Sequence, residues 1–253
     1  MENQHQIQVP SKTQDFDLPD FITAVVSLII WGAMAIIPSK PLSFPSKSQA
    51  LMNPYTPTST IPTVTLGIIV GAIGVPLIVG AYFLQKRKPE MFRSFQIFTA
   101  FWCFLSCIGI TNVCVGLFKN MVGRPRPDFL GRCGIDATND PKSCNISEKE
   151  FYEQFRSWPS AHSSTAMSAF LFLAMFLQKV LLTRRMWATF LSSLLVIFAF
   201  YVGSTRIRDF KHNPDDVIAG FFCGLLFTYL VWQRTFKRIF PKVSKKTDDE
   251  FKP

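Results

Sequence analysis

The sequence predicts an all-α, polytopic membrane protein built as a six-transmembrane-helix bundle, and three observations lead there. Of its 253 residues, 48% are hydrophobic and 26 are phenylalanine. With a mean hydropathy of +0.22, the chain is more apolar than a soluble core of this length requires. Six apolar stretches approach the roughly 20 residues that cross a hydrocarbon core. Cationic side chains gather on alternate connections between those stretches, the pattern that orients a polytopic chain.

The first stretch, 21–37, follows a polar, acidic segment carrying Glu2, Asp15, Asp17 and Asp20. That segment has no basic n-region or cleavage site, so the stretch is expected to be an uncleaved anchor. The segment 38–60, rich in Pro and Ser, reads as an extended, exposed loop. The second and third stretches, 61–84 and 95–118, are joined by a connection with Lys86, Arg87, Lys88 and Arg93. A long polar stretch, 119–162, leads to the fourth, 163–182; Arg184 and Arg185 separate it from the fifth, 187–203. Residues 204–216 lead to the sixth, 217–233, and the tail adds Arg234, Lys237, Arg238, Lys242, Lys245, Lys246 and Lys252.

Six spans place both ends of the chain on one side, and the basic connections make that side cytosolic. The expected organisation is a cytosolic tail (1–20), one membrane domain (21–233) and a basic cytosolic tail (234–253), with no repeat or linker marking a second domain. The net charge of +10 follows from topology and from attraction of the tail to anionic headgroups, which argues against nucleic acid as a partner.

The opposite face carries 38–60, 119–162 and 204–216. Asn145-Ile146-Ser147 is a glycosylation sequon, and Cys133 and Cys144 lie in a polar stretch, bonded or reduced; both features fit an oxidising lumen or exterior. A bond there would stabilise its loop by about 3 kcal/mol. Cys103, Cys107, Cys114 and Cys223 lie in apolar stretches and read as small core residues.

Of three histidines, His5 sits in the polar tail, while His162 and His212 each open a predicted helix on this non-cytosolic face. In HNPDDVIAG, 212–220, Asn213 suits an N-cap, Pro214 the first helical position, and Asp215 and Asp216 the first turn. From there Asp216 is within reach of one imidazole nitrogen of His212, the arrangement that orients a nucleophilic histidine; the same carboxylates also complement a helix dipole. Nearby stand Arg206, Arg208 and Lys211, and also Lys119, Arg124 and Arg126. Snorkelling accounts for Lys119, but a cation cluster on the outer face runs against the orienting rule. Two Arg-Pro dipeptides hold one cluster extended. Fixed cations, helix N-termini and a hydroxyl on one face describe a receptor for a phosphate dianion.

Three motifs of the type 2 phosphatidic acid phosphatase superfamily are present in order: Lys119 with Arg126-Pro127, Pro159-Ser160-Ala161-His162, and Thr205-Arg206 with His212 and Asp216. The chain resembles the eukaryotic lipid phosphate phosphatases of that superfamily from about residue 60 to 235. The resemblance implies a lipid phosphate substrate, with His212 as nucleophile, Asp216 orienting it, and His162 as general acid and base. It also implies phosphate binding by Lys119, Arg126, Arg206, Ser160 and the Ala161 amide, with no metal and no other cofactor. Phosphatidate is the expected substrate. A phosphotransferase, a polyprenyl pyrophosphate phosphatase and a catalytically silent scaffold or lipid receptor are the alternatives. Ala161 replaces the usual glycine, adding a methyl group, and Thr205 replaces the usual serine, keeping the hydroxyl on a stiffer side chain.

Overall fold

The computed structural model describes residues 17–183 and 186–241. The acidic residues up to Asp15, His5, Arg184, Arg185 and the lysines from Lys242 onward lie outside the described residues. Among the described residues, six helices are long and apolar enough to cross a membrane: α1 (Leu18–Ile36), α2 (Thr63–Arg87), α3 (Ile97–Val122), α6 (Ala161–Val180), α7 (Met186–Arg208) and α8 (Pro214–Ile239). Two short helices, α4 (Phe129–Cys133) and α5 (Glu148–Gln154), lie in the long connection before α6. The fold is all-α, and each predicted span corresponds to one long helix. Several helices outrun the apolar windows: α3 reaches past Lys119 and α7 past Arg206, because helical hydrogen bonding does not stop at the first charge.

The packing order follows from where small residues fall. Helix α6 is the central helix, contacted by α2, α3, α7 and α8. On α8, a side chain at Gly220 would strike the Ser160 carbonyl at 2.4 Å, and one at Gly224 the Met167 Cβ at 2.7 Å. This GxxxG spacing lets the first turns of α6 and α8 touch, which brings His162 and His212 to one end of the bundle. On α3, Gly109 and Gly116 admit α1 in the same way, against Ser27 and Met34. One polar pairing inside the bundle joins α3 to α6: buried Asn112 bonds Thr165 Oγ1 at 2.9 Å.

The phenylalanines account for much of the packing. Phe95, Phe172, Phe176 and Phe240 are buried with Trp232 at the end of the bundle away from the histidines. There Arg93, in the connection after α2, lies over the Phe236 and Phe240 rings at 5.6 and 5.1 Å.

The loop 38–60 departs from its expected exposed form. Leu51 and Ser39 are buried, and Phe44 and Leu51 join Phe129, Leu130, Phe151 and Phe155 in a second apolar cluster. Polar composition concealed this because a few anchors, not a periodic face, hold the loop down. Cys133 and Cys144 are bonded and tie α4 to the same cap. Cys103 and Cys107 are buried free thiols; Cys114 and Cys223 are half-buried and also free.

Candidate active site

Four chain segments converge on a cavity of about 570 Å³ at the histidine end of the bundle. The first enters from α3. Lys119, one turn before the helix end, is buried, and its Nζ donates to the Arg156 carbonyl. Gly123 ends the helix with φ 60°, a left-handed conformation suited to glycine, and a side chain there would overlap the Lys40 carbonyl. Beyond it the Arg-Pro pair runs extended beside 154–157. Arg126 N donates to Gln154 O at 2.8 Å, Ser157 N to Arg124 O at 3.0 Å, and Arg126 Nε to Glu153 O at 3.0 Å.

The second segment opens α6. Ser160 is its N-cap, accepting from Ser163 N at 3.4 Å, and its own N–H donates to the Asp216 carbonyl at 2.9 Å. Ser160 is fully buried beneath the cavity, whose wall here is Ala161 and His162. His162 Nε2 lies 3.1 Å from the Ile61 carbonyl. A carbonyl only accepts, so Nε2 carries a hydrogen and Nδ1 is the nitrogen left free to exchange a proton.

The third segment is the end of α7. Thr205 Oγ1 donates to Val202 O at 2.7 Å and lies 3.2 Å from both Nε and Nη2 of Arg206. Arg206 is buried, with Nη2 2.8 Å from Asp209 Oδ2. Asp209 in turn accepts from Thr60 N at 2.8 Å and Thr60 Oγ1 at 2.6 Å. The chain then turns through Phe210, whose φ of 54° is uncommon for a bulky side chain. The Arg206 carbonyl accepts from the N–H groups of Lys211 and His212 at 3.1 and 3.3 Å.

The fourth segment is the start of α8, capped as the sequence predicted, with Pro214 leading and both aspartates in the first turn. Asp216 is fully buried and accepts from Ser157 Oγ at 2.6 Å, Asn213 N at 2.7 Å and Arg124 Nη1 at 2.8 Å. The expected hydrogen bond to His212 is not closed: Nδ1 lies 3.7 Å from Asp216 Oδ2 and has no hydrogen-bond partner among the described residues. Two shorter bonds already occupy that oxygen. Asp215 does more than complement the dipole, because it pairs with Arg124. Burial pushes the His212 pKa down to about 3; Lys119 and Arg126 add to this, and the opposing pull of Asp216 does not overcome it. The imidazole is therefore neutral at physiological pH, the form that can act as a nucleophile.

A model of the PAP2 superfamily matches residues 100–240, more than half of the chain. The chain belongs to the PAP2 superfamily. A probable diacylglycerol pyrophosphate phosphatase 1 of Schizosaccharomyces pombe is 30% identical, over 76% of this chain and 71% of that protein. Phospholipid phosphatase 2 of Mus musculus is 31% identical over 70% of each chain, and the mouse phospholipid phosphatase 1 is 28% identical over 85% and 83%. No solved structure matches the chain.

The PAP2 match spans every residue singled out from the motifs. Lys119, Arg126, Ala161, His162, Arg206 and His212 line the cavity, while Ser160 and Asp216 lie just behind its wall. Of the other cations noted in the sequence, Lys211 lines the cavity, Arg124 turns to the aspartates, and Arg208 is exposed on α7. Arg156 was missed: it lines the cavity and donates to the carbonyls of Ile37 and Met34 at 3.0 and 3.1 Å. Asp209 and Thr60 were missed as well, and only the Arg206–Asp209 spacing of one helical turn signalled that pair. Five cations against one carboxylate, Glu153, make the lining strongly positive. Among the described residues, no three His, Cys, Asp or Glu side chains come together as a metal ligand set.

Proposed function

We propose that this chain is a lipid phosphate phosphatase that hydrolyses phosphatidate and related lipid phosphates, with its active site on the non-cytosolic face of the membrane. The observation that carries the reading is the cavity itself, where neutral His212, His162 and five cations face one space among helices long enough to span a bilayer. The phospholipid phosphatases and the diacylglycerol pyrophosphate phosphatase among its relatives support the same class of substrate.

In the proposed reaction Lys119, Arg126 and Arg206 neutralise the phosphoryl oxygens, and the Ala161 N–H at the start of α6 adds a donor. A neutral His212 nitrogen attacks phosphorus, forming a P–N bond as the P–O bond to the lipid breaks. His162 enters this step as the imidazolium, its second proton on Nδ1, the nitrogen that Ile61 leaves free, and gives that proton to the departing alkoxide. As His212 gains positive charge, Asp216 at 3.7 Å stabilises the imidazolium. Water then gives its proton to His162 and attacks phosphorus; the P–N bond breaks and inorganic phosphate leaves. The cationic lining would repel a divalent metal, so the chemistry is assigned to the side chains alone. The terminal phosphoryl group of diacylglycerol pyrophosphate presents the same target, and the second phosphate has Arg156 and Lys211 within the same cavity.

The test is phosphate release by purified protein over a lipid phosphate panel. Activity should survive excess EDTA and be inhibited by vanadate, a pentacoordinate mimic. Loss on chelation that magnesium restores would overturn the mechanism.

A further inference from the structure

The cavity extends beyond its histidines. Much of its remaining wall comes from membrane-spanning helices, among them Leu28, Trp31, Gly32 and Ala35 on α1 and Leu66 and Gly67 on α2. We infer that this apolar arm seats one acyl chain of the substrate, admitted sideways from the bilayer between α1 and α2. The inference rests on the lipid phosphatase reading of the site.

Three observations carry it. Leu28, Gly32 and Ala35 recur at helical spacing and so line one face of α1 over roughly 10 Å of its axis. Next, α1 packs on α3 while α2 packs on α6 and α3, leaving no more than incidental contact between α1 and α2. Ile29 and Ile68, next in sequence to the cavity-lining Leu28 and Gly67, are each 65% exposed, so the two helices present apolar surface beside the cavity. Last, a Cβ at Gly32 or Gly67 would meet nothing within 4 Å, whereas one at Gly109 would overlap Ser27 at 2.2 Å. Gly109 is small so that two helices can touch; Gly32 and Gly67 border open space. The arm joins the cationic end without a break, which is the shape of a phosphomonoester with a long apolar substituent.

An acyl chain moving from lipid to this arm exchanges one apolar surrounding for another, so little hydrophobic gain accompanies it. The arm therefore selects by shape, and filling it should penalise long chains specifically. Long-chain lysophosphatidate and glycerol 3-phosphate share a headgroup and differ in the chain, so their ratio of kcat/KM isolates it. Gly32→Phe and Gly67→Phe in the full chain should each lower that ratio roughly ten- to a hundredfold, the penalty for overpacking by one large group. Gly80→Phe, also in open space on α2 but away from the cavity, should keep the wild-type ratio. An unchanged ratio in both cavity variants would overturn the inference. A lysophosphatidate with a photoreactive group on its acyl chain gives a measurement on the unaltered protein. Label should fall on α1 and α2, and label confined to α7 and α8 would also overturn it. If the wild-type chain hydrolyses neither substrate, the phosphatase reading itself fails and the inference falls with it.

Discussion

At the scale of single residues, His212, the proposed nucleophile, illustrates how burial keeps an imidazole neutral. Its side chain is 4% exposed, and removal from water disfavours the imidazolium, holding the pKa near 3. Linkage turns this into a stability effect. In the unfolded chain the group takes up its proton near 6.5, in the folded chain only near 3. Between those values the unfolded state binds more protons, so stability falls as the pH is lowered through that window; above it the group is neutral in both states and contributes nothing. His212→Gln should therefore show a shallower decline of melting temperature from pH 6.5 toward 3 than the wild type. Equal slopes would mean that His212 is not held neutral by burial. Asp216 sits behind this histidine with three donors of its own, from Ser157, Asn213 and Arg124. Those bonds fix the carboxylate in place before any charge develops on His212.

At the scale of elements, the connection between α1 and α2 emerges as a clamp. Thr60 holds Asp209, which holds Arg206, and the next residue, Ile61, receives His162 on its carbonyl. Thr60 and Ile61 lie outside the matched PAP2 segment of 100–240, whereas the residues they hold lie inside it. Thr60→Val removes one of the bonds to a buried carboxylate, a loss of about 1–3 kcal/mol. If Arg206 is thereby displaced from the transition state, kcat/KM should drop roughly 5- to 100-fold. Thr60→Ser, which keeps the hydroxyl, should restore most of it. Equal activity in the two variants would remove the clamp from the account.

The same element shows where reading the sequence stops. The helix starts at Ala161 and Pro214, the cap at Asn213 and the motif side chains were legible because each is a local pattern: spacing, a cap residue, an apolar run. The bond from Thr60 to Asp209 joins residues 149 positions apart, and Arg156 is drawn in by carbonyls at the end of α1. Such pairings have no period and no local signature. The cap packed around Phe129 and Phe155 was hidden in the same way, its aromatic anchors scattered through polar sequence.

At the scale of the whole molecule, packing and charge give the chain a direction. Gly220 and Gly224 draw α8 onto α6, so both histidines lie at one end, while Lys86, Arg87, Lys88 and Arg93 mark the other. In the proposed topology, drawn from the positive-inside rule, the cavity faces away from the cytosol, and the Cys133–Cys144 bond is of the kind an oxidising side supports. An epitope at exposed Asn139 should accordingly be protected from protease in sealed right-side-out microsomes, and cleavage there would invert the topology.

The central claim is that this end of the bundle breaks a phosphoester in two steps, with His212 carrying the phosphoryl group and His162 moving the proton. Rapid acid quench with a labelled substrate bearing a good leaving group tests it most directly, because such a group departs with little protonation. His162→Ala should accumulate labelled phosphoenzyme, since the base needed for its hydrolysis is gone, and His212→Ala should form none. Label retained on His212→Ala would contradict the account by placing the covalent bond on another residue.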